Sequence, residues 1–196
     1  MKPLAIRHIQ VKRGALVLEV VAPLSTMRVP ADAARRMLEL LPNLAHHVCV
    51  NDNGDTFGDE IAGTEAAHLL EHTIIELQGK AYASWGANRP LFTGRTSWKR
   101  SLAEARSTGE SLMLTTVTFV NDFVALQAAE FACGIIEWAY DPDTHTAPDI
   151  AALVDRLAQQ LRQRGVAQRQ PPTAQRRSAP SPPRRDAVGD AGEILD

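Results

Sequence analysis

Disulfide chemistry has almost no footing in this sequence, whose 196 residues include two cysteines, Cys49 and Cys133. Two are too few for a disulfide scaffold, and as thiols they suit a reducing cytosol. Long apolar runs are missing as well. No stretch approaches the roughly 18 apolar residues of a membrane span. The opening MKPLAIRHIQ has no apolar core of the signal-peptide kind. Excess base is lacking too: 21 Lys and Arg stand against 23 Asp and Glu, a formal charge of −2. Such a balance leaves no global footprint for nucleic acid. Neither an internal repeat nor a GxxxxGKS/T loop for nucleotide phosphates is present. The expectation is a cytoplasmic chain with no membrane, nucleotide or nucleic-acid partner.

What is present is enough for one buried core, since 44% of residues are hydrophobic. Residues 4 to 22 read as two strands around Lys12-Arg13-Gly14, a hairpin pattern. Pro30 opens a helix with Ala33, Met37, Leu40 and Leu41 at helical spacing, and Pro42 ends it. A loop follows from Asn43 to Gly63. Thr64 is the expected N-cap of a helix running to about Gln78, with Gly79 as its stop. Residues 79 to 96 read as loop with a short strand at Leu91 to Thr93. The β-branched run SLMLTTVTFV, residues 111 to 120, predicts a central strand. Helices are expected from about Asp122 to Tyr140 and from Pro148 to Arg164.

Beyond Arg164 the composition changes. Five of the twelve prolines lie in residues 171 to 183, and residues 162 to 185 hold seven Arg and no acid. So little apolar surface cannot offset chain entropy, which predicts a disordered tail over 165–196, solubilising in role. The layout is α+β: residues 1–164 form a small, mainly antiparallel sheet packed with helices, followed by that tail.

Chemistry is carried by TEAAHLLEHTIIELQG, residues 64 to 79, which contains His68-Leu-Leu-Glu71-His72. This is H-x-x-E-H, the inverted form of the H-E-x-x-H zinc motif. Residues four apart on a helix differ by about 40° in azimuth and roughly 6 Å along the axis, so His68 and His72 can hold one zinc ion. Glu71, on the adjoining face, can take a proton from the attacking water and pass it to the leaving amine. Glu76 can orient an imidazole from behind. Random residues of this composition give the motif in roughly one such chain in a hundred. Zinc also needs a third protein ligand, for which Asp122, after the best strand, and Glu130, one helix further on, are both candidates.

The neighbours of the motif carry more. Leu41-Pro42-Asn43-Leu44, His47 and Cys49, Phe57, Gly63-Thr64 and the run from His68 to Gln78 together resemble the N-terminal domain of cyanophycin synthetase. Gly94-Arg95-Thr96 resembles a later segment of the same domain. The likeness covers roughly residues 1 to 140 and is densest from Leu41 to Gln78. It implies a domain that holds a polymer with a poly-aspartate backbone and, in some members, cleaves it at an H-x-x-E-H metal site. His68 and His72 then match metal ligands and Glu71 the catalytic carboxylate. The ATP-grasp and Mur-ligase-like modules that follow this domain in the family have no counterpart here, so polymer synthesis is not expected. Val120-Asn121-Asp122 departs from the family's acidic pattern after the strand.

Other features fit the same picture. His47 and Cys49 form H-x-C beside the motif and are candidates for extra metal ligands, with a buried thiol and a loop histidine as the favoured reading. Residues 77 to 103 carry Lys80, Arg89, Arg95, Lys99 and Arg100 without an acid, and Arg95 is the candidate contact for a substrate carboxylate. The expected function is a zinc-dependent, metallopeptidase-like amide hydrolase for cyanophycin-like or acidic peptides. A non-catalytic module binding a peptide, a partner protein or a second copy of the chain is the contrast.

Overall fold

The computed structural model describes residues 2–50, 54–86 and 90–169. Strands β1 (Ala5–Lys12) and β2 (Ala15–Pro23) form the expected antiparallel hairpin. Helix α1 (Ala31–Leu40) leads into a short 3-10 helix, Pro42–His46, and a single-turn α2 (Phe57–Glu60). The long α3 (Ala66–Trp85) follows, then β3 (Gly94–Trp98), α4 (Leu102–Thr108) and β4 (Glu110–Thr118). Helices α5 (Asp122–Tyr140) and α6 (Ile150–Arg169) complete the chain. The strands lie in the order β1-β2-β4-β3, every pair antiparallel, so the fold is α+β and β4 is central as predicted.

Alternation along the strands decides where the core sits. Leu16, Leu18, Val20 and Ala22 of β2 are all buried, facing the same side as their β4 partners Val117, Thr115, Met113 and Ser111. Each large aliphatic side chain buried this way contributes about 1.5–3 kcal/mol. Helix α3 lies over this face, packed against α5 and α6 as well as β3 and β4. The H-x-x-E-H helix is therefore central, as expected.

Five local expectations are corrected. Gly79 does not stop α3, which runs on to Trp85 and closes on Gly86 in the left-handed region, at φ 77°. A mid-helix glycine costs about 1 kcal/mol, and the burial of Ala81 and Tyr82 beyond it outweighs that. Glu65, not Thr64, is the N-cap, because Thr64 turns its hydroxyl to His68 Nδ1 at 2.9 Å. The third strand falls on Gly94–Trp98 instead of Leu91 to Thr93. Helix α4 was not foreseen, although Ser101 and Glu104 form a capping box that signals it: Ser101 Oγ accepts from the Glu104 backbone at 3.3 Å. Helix α6 continues to Arg169, past the expected end at Arg164; the remainder of the predicted tail lies outside the described residues. Among the described residues no helix is long and apolar enough to cross a membrane.

Candidate metal and acid–base site

Two elements bring the donors together. Helix α3 presents His68 and His72 one turn apart, and their Nε2 atoms face each other at 3.2 Å. The chain after the 3-10 helix is pinned by Cys49 N donating to Asp55 O and by Phe57 N donating to His47 O. That pinning sets Cys49 Sγ 3.5 Å from His68 Nε2. Cys49, His68 and His72 each offer one atom, all within 4.8 Å of one another, as a group able to hold a metal ion.

The donor set can be tested against an ion. Tetrahedral zinc with Zn–N near 2.0–2.1 Å and Zn–S near 2.3 Å requires N to N of about 3.3–3.4 Å and S to N of about 3.5–3.6 Å. Two of the three edges, at 3.2 and 3.5 Å, match those values closely, and the third, between Cys49 and His72, is within 4.8 Å. Thiolate plus two imidazoles is also a donor chemistry that zinc favours. The residues fit the group.

Packing holds the imidazoles still. Phe57 stacks on His72 with centroids 3.9 Å apart and meets His68 edge-on at 5.2 Å. Burial, with His68 and His47 nearby, pushes His72 down to about 3, so it is neutral at ordinary pH. Burial lowers His68 as well, opposed by Glu60 and Glu65.

Glu71 occupies the neighbouring face of α3, turned toward the sheet. It is 4% exposed, and burial raises its carboxyl to about 7, partly offset by the Thr96 hydroxyl donating to Oε2 at 2.6 Å. Thr96 lies on the helix-facing side of β3, between Gly94 and Trp98. Gly94 is needed there for room: a Cβ at that position would stand 2.5 Å from Glu71 Cγ and Oε1. His47, Cys49, Glu60, His68, Glu71, His72 and β3 all line one open pocket of about 1160 Å³.

A sequence model of the cyanophycin synthase-like N-terminal domain matches residues 15–140, from the first residue of β2 to the last of α5. The chain belongs to this family. A search of curated proteins gives no match. For this cyanophycin synthase-like domain, the matched span contains every residue of the Cys49, His68, Glu71 and His72 constellation.

Several expected site residues fall elsewhere. Asp122 is not in the group around the histidines; it begins α5, where its Oδ1 accepts from Phe123 N at 2.9 Å. Glu130 is exposed on the same helix. The third donor atom near the two histidines is instead the thiol of Cys49. The H-x-C pair marks it as a candidate, but helical spacing does not rank it, because it stands 19 positions before His68 in a loop. Glu76 does lie behind the site but reaches His72 through His47, accepting from His47 Nε2 at 3.0 Å. Burial pulls Glu76 up, yet hydrogen bonds from His47 and Asn43, with Lys80 nearby, leave it below the usual carboxylate value.

The basic segment is not one patch. Lys80 pairs with Glu76 and Lys99 with Glu19, while Arg89 lies outside the described residues. Arg95 does line the pocket, exposed at its rim and registered opposite Thr116.

Proposed function

We propose that this domain is a zinc-dependent amide hydrolase of the H-x-x-E-H metallopeptidase kind, acting on cyanophycin-like or other acidic peptides. The observation that carries this reading is the convergence of Cys49, His68 and His72 in the same pocket as a buried carboxyl, Glu71. In it, Cys49, His68 and His72 would hold the ion, with Cys49 in the place expected for Asp122. Zinc bound there would lower the pKa of water toward neutrality and polarise the substrate carbonyl.

The remaining work belongs to the chain itself. Glu71, poised near 7, accepts a proton from the attacking water and returns it to the leaving amine. Thr96 fixes the orientation of that carboxylate, and Gly94 leaves it space. Arg95 at the rim is the proposed contact for a substrate carboxylate. Both cysteines are free thiols, which suits a reducing cytoplasm.

The test is metal content together with turnover of the purified chain. The expected result is about one zinc per chain and release of amines from a poly-aspartate peptide bearing arginine side chains. A chelator should stop that release and added zinc restore it. Less than about 0.1 zinc per chain, with no gain on adding zinc, overturns the reading.

A further inference from the structure

We infer that two hydrogen-bonded relays, Glu60–Thr64–His68 and Glu76–His47–His72, fix the tautomers of the two histidines so that both Nε2 lone pairs converge beside Cys49. The inference rests on the metal-site reading above and deepens it by naming positioning residues outside the proposed ligand set.

The relay behind His72 starts at a wholly buried carboxylate. Glu76 Oε1 accepts from Asn43 Nδ2 at 3.1 Å and lies 3.3 Å from Lys80 Nζ, while Oε2 is 3.0 Å from His47 Nε2. An ionised carboxylate only accepts, so His47 Nε2 carries the hydrogen. With that hydrogen on Nε2, His47 presents Nδ1 as the acceptor toward His72 Nδ1, 3.2 Å away. His72 must donate across that contact, and its Nε2 is left bare.

The relay behind His68 reaches the same end through a hydroxyl. Thr64 has one hydrogen to give, and it donates to Glu60 Oε1 at 3.4 Å. Its oxygen therefore accepts from His68 Nδ1 at 2.9 Å, and His68 Nε2 is bare as well. Two bare nitrogens facing at 3.2 Å repel each other until a cation lies between them. The outer partners thus select a cation and exclude the arrangement in which one imidazole simply donates to the other. Outer partners of this kind usually matter 10–100-fold, roughly, in metal affinity.

Ring-nitrogen NMR of the full chain, labelled with 15N-histidine and stripped of metal, reads the tautomers without any turnover. At neutral pH both His68 and His72 should show the Nδ1-protonated form, the minor one in free histidine. Thr64→Val should switch His68 alone, and His47→Phe should switch His72 alone. Each should weaken zinc binding, measured by competition with a chromogenic chelator, about 10–100-fold. Thr64→Ser, which keeps the hydroxyl, should restore both signals. Should His47→Phe fail to fold by circular dichroism, Glu76→Ala removes the same relay from its far end. Nε2 protonation in the wild type, or a broken relay with unchanged tautomer and affinity, overturns the inference. A chain that shows both tautomers yet takes no zinc supports the relays and overturns the hydrolase. One that takes zinc and hydrolyses with its tautomers unmoved by the variants does the reverse.

Discussion

Helices α3 and α5 run through the same core and are nearly equal in length, yet they bury different things. Every buried position of α5 is Val, Ala or Ile. Helix α3 buries Glu71, His72, Thr73, Glu76 and Gln78 among its leucines and alanines. Apolar burial lowers the free energy without further conditions, whereas each buried polar group must find a partner or cost several kcal/mol. Helix α3 finds most of them one at a time, leaving Gln78 Oε1 buried without a hydrogen-bond partner among the described residues. Thr73 Oγ1 donates to Leu69 O at 2.7 Å, Gln78 Nε2 to Thr118 O at 3.2 Å, and the carboxylates bind Thr96, His47 and Asn43. One helix makes the fold; the other uses it.

The sharpest way to separate these roles is to remove a donor. His72→Ala, or His68→Ala, should drop zinc from about one to below about 0.1 per chain and abolish hydrolysis with it. Metal analysis and an amine-release assay on the same sample check this, and full zinc in either variant breaks the assignment. Glu71→Gln comes next. It keeps the shape and loses the base, so zinc should stay while the rate falls on the order of 10²–10⁴. Loss of zinc as complete as in His72→Ala would make Glu71 a ligand.

The matching change in α5 should move stability instead. Ile135 is fully buried, and Ile135→Ala should cost about 2–5 kcal/mol in a denaturant titration. Zinc per folded chain should not change. If metal affinity falls in step with stability, the division between the two helices is wrong.

The same contrast governs what could be read from the sequence. Helix α5 was placed at Asp122 to Tyr140 and found there, because a helix whose buried positions are all apolar announces itself by period alone. Strand β4 was equally plain. Helix α3 was found, but its end was misplaced at Gly79, since tertiary burial of Tyr82 overrides a local stop signal. His68, Glu71 and His72 were legible because their spacing is local. Cys49 was legible only as half of the H-x-C pair, because its place in the cluster comes from the loop folding back through the Phe57 to His47 hydrogen bond. Helical spacing likewise offers Glu76 an imidazole to orient but does not show His47, which stands between it and His72.

Gly94 is a test of that non-local kind. Its neighbour across the pocket is the Glu71 carboxylate, and Gly94→Ala would place a Cβ 2.5 Å from it. The carboxylate has to move, and misplacement by about 1 Å is enough for a loss on the order of 10² in rate. Zinc content should be unchanged, since Cys49, His68 and His72 do not touch Gly94. Wild-type turnover in Gly94→Ala would show that the position of Glu71 against β3 does not matter to the chemistry.

The smallest effect is expected on the outside of α5. Gly134 lies in the middle of that helix, exposed, and a Cβ added there meets nothing within 4 Å. Alanine at such a site restricts the unfolded chain and removes the glycine penalty, about 0.5–1 kcal/mol in a helix interior. For a domain of this size the melting temperature should rise by roughly 2–4 °C per kcal/mol. Zinc content and turnover should stay at wild-type values, because α5 contributes no donor to the cluster. If Gly134→Ala left stability unchanged but altered turnover, α5 would have to flex for catalysis, and the separation between a helix that makes the fold and one that uses it would fail.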